Sequence, residues 1–151
     1  MNLSFSVDDT AVTKKLDSLL RGVKDLREPF ERSGDELLTF FGEDVFETQA
    51  RAIGDSWRAL AESTLRARSE RRGHYAATPE RTDKILWWTG ALKRGFKKKA
   101  DTVSLRIFNT VEYFEHHQKR GGSPPQRKML AITSNVIIKV MDQIVRFVNA
   151  L

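Results

Sequence analysis

The stretch KKKADTVSLRIFN, residues 97–109, decides whether this chain is all-helical or mixed. Val103, Leu105 and Ile107 alternate with polar residues at a period of two, the pattern of a strand with one buried face. Before them, Ala100, Asp101 and Thr102 supply a turn. Lys97–Lys99 then belong to a first strand whose charges discourage stray edge pairing. The stretch predicts an antiparallel hairpin with Val103, Leu105 and Ile107 on its core face.

C-terminal to the hairpin the apolar spacing is helical. TVEYFEHHQKRGGSPPQRKML (110–130) predicts a short helical turn and then a loop, because Gly-Gly and Pro-Pro end regular structure. Ser134 is placed to cap a last helix on which Ile137, Val140, Met141, Ile144, Phe147, Val148 and Leu151 form a stripe. Val136, Ile138 and Val145 lie outside that stripe. A helix apolar over more than one face is central in its own domain or meets a partner.

N-terminal to the hairpin lies ILWWTGALKRGF (85–96), with adjacent Trp87 and Trp88. Neighbouring helical residues point about 100° apart and strand neighbours point to opposite faces, so one narrow stripe does not take both rings. The expectation is that Ile85, Leu86 and one tryptophan anchor the turn while Gly90 relieves the backbone. The second ring, with Lys93 and Arg94, is then presented to a neighbouring molecule. Residues 52–84 are polar and arginine-rich, with Trp57 as their one aromatic anchor, and predict an extended loop or arm holding at most a helical turn near 58–70. Residues 9–50 predict a bent helix or helical hairpin. Val12, Leu16, Leu19, Leu20 and Val23 lie on one face before Pro29, and Phe30, Leu37, Leu38, Phe41 and Val45 after it. LSFSV (3–7) alternates as a short strand. The sum is a single α+β domain over 1–151: a small antiparallel sheet packed by N-terminal helices and a C-terminal helix, with one long irregular loop.

Composition narrows the function classes. The chain has 151 residues, 40% of them hydrophobic, and no cysteine, so thiolate metal sites and disulfides are absent. No run approaches the roughly 18 apolar residues of a membrane span, and the N-terminus lacks a basic-then-apolar leader, so no membrane partner is expected. Adjacent His116 and His117 diverge on a helix and do not make an i, i+4 metal pair. No phosphate-binding glycine loop, nucleophile elbow or cysteine nucleophile is readable. No catalytic residue, cofactor or metal is therefore expected.

Charge is distributed unevenly: −5 over residues 1–50, +8 over 51–100 and +3 over the rest, for a total of +6. That asymmetry suits an anionic partner for the middle, or head-to-tail contact between copies. Arg66, Arg68, Arg71, Arg72, Arg81, Lys93, Arg94 and Lys97–Lys99 are able to neutralise phosphates, which makes sequence-independent nucleic-acid binding the alternative function class.

The order of features from Phe46 onward resembles the Mu-like phage virion morphogenesis, or tail completion, family. The resemblance rests on VFETQA, WRALAESTLRAR, ILWWTGALKRGF, VSLRIFN, VEYFEHHQKRGG and PPQRKMLAIT. Its positions here are Trp57, Leu60, Thr64, Ile85, Leu86, Thr89, Gly90, Leu92, Tyr113, His117, Gln118 and Arg127, and it covers residues 30–151. The chain departs from that pattern at Phe114, where a small residue is commoner, and at Lys119-Arg120, where glycine follows His-Gln directly. The resemblance implies a non-enzymatic virion protein, similar to head–tail neck proteins of tailed phages, assembled in the bacterial cytoplasm. Its implied partners are copies of itself, in a ring that is usually sixfold in such proteins, and tail tube, terminator or connector proteins. Heterologous ring contacts need two different patches. The candidate interface residues are Trp57, Arg66, Arg68, Arg71, Arg72, Trp88, Lys93, Arg94 and Arg127, with Trp and Arg favoured at interface hot spots.

Overall fold

The computed structural model describes residues 10–70, 84–87, 89–119 and 125–151. The strand expected at 3–7, together with Arg71, Arg72, Arg81 and Trp88, lies outside the described residues.

The chain is α+β, with one two-stranded sheet among the described residues. Helix α1 (Thr10–Lys24) leads into α2 (Arg27–Thr39), a π turn at Phe40–Asp44 and a last helical turn, α3 (Val45–Glu47). Pro29 sits in the first turn of α2, where its missing N–H breaks no helical bond. The π turn is defined by Val45 N–H donating to Phe40 O, one residue beyond the α spacing. Such a wide turn brings successive side chains closer in angle. Phe40 and Phe41 are accordingly both buried, edge to face at 5.2 Å.

Strands β1 (Phe96–Ala100) and β2 (Leu105–Asn109) pair antiparallel with Lys98 opposite Ile107. The hairpin lies on α2 at Gly34. A Cβ there would fall 2.6 Å from Lys98 Cδ and 3.2 Å from Leu105 Cδ1, so only glycine permits this approach. The turn is longer than the sequence pattern suggests. Asp101 Oδ1 accepts N–H bonds from Val103 and Ser104, and Oδ2 accepts from Ser104 Oγ. Those bonds hold the carboxyl below the usual aspartate range, the Val103 N–H first among them. They also draw Val103 into the turn, where it is 76% exposed and not on the core face.

Short helices α4 (Glu62–Ser69), α5 (Ala91–Arg94) and α6 (Phe114–Gln118) close one side, and α7 (Ser134–Ala150) packs along α2. Thr133 caps α7, one residue before the expected Ser134, since its Oγ1 accepts the Val136 N–H. The core is largely aromatic. Phe41 stacks on Phe96 at 6.0 Å, Phe96 meets Phe114 at 5.8 Å, and Phe46 meets Trp57 at 5.4 Å, geometries that add to simple area burial.

Candidate functional site

The candidate interface residues separate into two groups. Trp57, Arg68 and Arg127 are buried in their own chain. Trp57 packs on Phe46 and donates its indole N–H to Lys128 O at 2.7 Å. Arg68 donates to Lys84 O at 2.9 Å, tying α4 to the start of the ILWWTGALKRGF stretch. Arg127 donates its backbone N–H to His117 O at 2.8 Å and a guanidinium N–H to Arg58 O at 3.3 Å. Carbonyl oxygens thus take the place that a partner's carboxylates were expected to fill. Where it is described, the expected arm is fastened to the body by Trp57 and Arg68.

Gln118 organises this region. Its Oε1 accepts N–H bonds from Met129 at 2.9 Å and Leu130 at 3.2 Å, and its Nε2 donates to Leu130 O. One side-chain amide thereby pairs with the 129–130 backbone as a strand would, and Met129 is fully buried behind it. Beside it, His117 lies edge to face with Tyr113 at 6.2 Å, and its Nδ1 has no hydrogen-bond partner. Burial, then the Arg127 and His116 charges, push the imidazole below the usual histidine range. Burial, then Arg68 and Arg58, likewise lower Arg127.

The second group surrounds Thr89-Gly90. Gly90 has φ +71 and starts α5, where Thr89 Oγ1 accepts the Ala91 N–H. Leu86 is also left-handed, at φ +57, which for a leucine costs about 1–2 kcal/mol. Ile85 and Leu92 are buried, and Trp87 is half-buried. Lys93, expected to face a neighbour, instead covers the Trp87 ring at 4.3 Å and pairs with Glu43. Arg94 is exposed, though it donates to Thr89 O at 2.8 Å. Arg66 is exposed on α4.

Charge asymmetry is resolved largely inside the chain. Lys98 reaches Glu31 and Asp35, both at 2.7 Å, Lys139 reaches Glu36 at 2.6 Å, and Lys84 reaches Glu47 at 3.7 Å. Burial would lower Lys98, but its bonds to Asp35 and Glu31 outweigh it and raise the ammonium above its ordinary value. The Lys139 bond, opposed by burial, holds Glu36 low.

Two helix faces are left uncovered by the described residues. On α7 the core-facing side is rotated from the expected stripe. Val136 is buried, and Lys139 and Gln143 face Glu36, whereas Ile137, Ile138, Met141 and Val145 are 49–55% exposed. On α1, Leu16, Leu20 and Val23 are 54–60% exposed. Among the described residues no group of three or more His, Asp or Glu is able to hold a metal, and no helix is long and apolar enough to cross a membrane.

No family model, curated protein or solved structure matches the chain.

Proposed function

We propose that this chain is a structural virion protein of a tailed phage that acts in tail completion or head–tail joining by assembling with copies of itself. The observation that carries this reading is the pair of uncovered apolar ridges on α1 and α7. Seven half-exposed aliphatic side chains on two helices amount to several hundred Å². That is the size at which a patch on a single chain marks an interaction site. Two different ridges on one molecule also meet the requirement of a heterologous contact, in which successive copies close a ring. The order of motifs from Trp57 to Arg127 supplies the phage context, and Arg66 and Arg94 remain as exposed polar rim. In this reading the protein assembles in the bacterial cytoplasm and ends in the virion, with tail tube, terminator or connector proteins as its further partners.

Native mass spectrometry of the purified chain, alone and with tail and connector proteins, tests the reading. The expected result is a closed oligomer, or defined incorporation into the tail or connector. A chain that stays monomeric at every concentration and joins neither assembly refutes it.

A further inference from the structure

We propose that the solvent face of the β1–β2 hairpin binds the phosphate backbone of duplex DNA without sequence preference. Lys97 and Lys99 point to this face, about 6.8 Å apart along the strand. Arg106 stands directly across from Lys99, and Phe108 across from Lys97. The Arg106 guanidinium lies 5.8 Å from the centroid of the Phe108 ring, which keeps the third cation on the same side. Lys98 has no part in this face, because it turns inward to Glu31 and Asp35.

Like charges directly opposed across a ladder are destabilising. Elsewhere in this fold lysines are neutralised: Lys84, Lys93, Lys98 and Lys139 each hold a carboxylate. No carboxylate among the described residues forms an ion pair with Lys97, Lys99 or Arg106. The nearest source of negative field is Asp101, whose oxygens are occupied by Val103 and Ser104. Guarding a sheet edge against stray pairing takes a single lysine and does not call for an arginine facing it. The face is therefore built for negative charge from outside the chain. A second copy is a poor source, because Glu31, Asp35, Glu36, Glu43 and Glu47 already hold lysines of their own molecule. Duplex DNA, with one charge per about 1.7 Å of axis, presents the densest match.

The inference goes beyond the assembly reading and does not rest on it. The experiment is fluorescence anisotropy of the full chain on a short labelled duplex across a salt series. The parent and the K97Q/K99Q/R106Q variant are compared, with circular dichroism confirming the fold. Each phosphate contact contributes a slope of about −0.9 in log K against log salt, so the variant should be shallower by about 2.7. Between about 50 and 200 mM salt the parent should then lose roughly 40-fold more affinity than the variant. F108A should weaken binding and F108Y should keep it, as expected of a ring that positions Arg106. K14Q/K15Q, which removes charge from α1, should leave the slope nearly unchanged.

Four results would overturn the proposal. One is the absence of binding at low salt, and another is the same slope change per charge from the α1 variant. The third is tighter binding of a single strand than of the duplex through the same side chains. The last is competition by polyglutamate equal to that of unlabelled duplex, which would assign the face to an acidic protein. Oligomer mass is read separately, so failure here leaves the assembly reading standing.

Discussion

The cluster around Gln118 and the outer face of α7 are built on opposite principles. Around Gln118 the polar groups are turned inward and met by backbone: Gln118 on residues 129–130, Trp57 on Lys128, and Arg127 on Arg58. On α7, Ile137, Ile138, Met141 and Val145 are turned outward and met by nothing in the described chain. Side chains that look like contact makers in the sequence, arginine and tryptophan, hold the fold together. Side chains that look like core, isoleucine and methionine, are left for contact. Chemical type alone does not separate folding from association, whereas the phase of a helix and the position of a carbonyl do.

That contrast can be broken experimentally, with the largest effect at the sealed cluster. W57A should cost about 3–5 kcal/mol, the range for removing a buried large aromatic, and lower the thermal midpoint steeply. Q118A should cost about 3 kcal/mol, because it orphans backbone groups of Met129 and Leu130 that have no other partner. In both variants, whatever protein remains folded should still assemble. The reverse pattern belongs to I137D/M141D, which should shift unfolding by less than about 1 kcal/mol, as surface substitutions do. Its oligomer dissociation constant should rise by roughly 30-fold or more, as expected for hot-spot loss. Equal effects of the two kinds of variant on melting, with none on assembly, would erase the distinction.

The sequence disclosed the sheet well and the phase of α7 poorly. Strand β2 was legible because a period of two in Leu105 and Ile107 has no helical equivalent. Its start was not, since the bonds from Asp101 to Val103 and Ser104 lengthen the turn by one residue. The rotation of α7 comes from Lys139 meeting Glu36, over a hundred positions away in the chain, which carries no periodic signal. The apolar excess on α7 was readable, and so was its meaning as a partner-facing helix. Burial of Arg68 and Arg127 was not readable, because their acceptors are main-chain oxygens and every residue has one. Trp57 did leave a clue: a buried indole N–H needs an acceptor, which favours a place beside an irregular segment such as 125–133.

A smaller effect sharpens the same contrast from the side of pH. His117 is depressed by burial and by Arg127, so the folded chain resists protonating it while the unfolded chain does so near pH 6.5. Its contribution to stability is complete above about pH 6.5 and shrinks as pH falls through that value, since the unfolded state binds the additional proton. The thermal midpoint should decline more gently over that window in H117N than in the parent. An identical decline in both would place the pH dependence elsewhere.

The π turn at Phe40–Asp44 has a consequence for how this chain tolerates change in length. A π turn is one residue more than an α-helix of the same rise requires, so the helix from Arg27 to Glu47 carries an insertion that the core has absorbed. Removing one residue there would restore the α ladder and swing everything downstream by about 100°. Val45 and Phe46, now fully buried, would be carried off the core together. Removing one residue from the Asp101–Ser104 turn would only shorten a surface loop. Length variation in related chains should therefore accumulate in the hairpin turn and spare the π turn, where the count of residues matters as much as their identity.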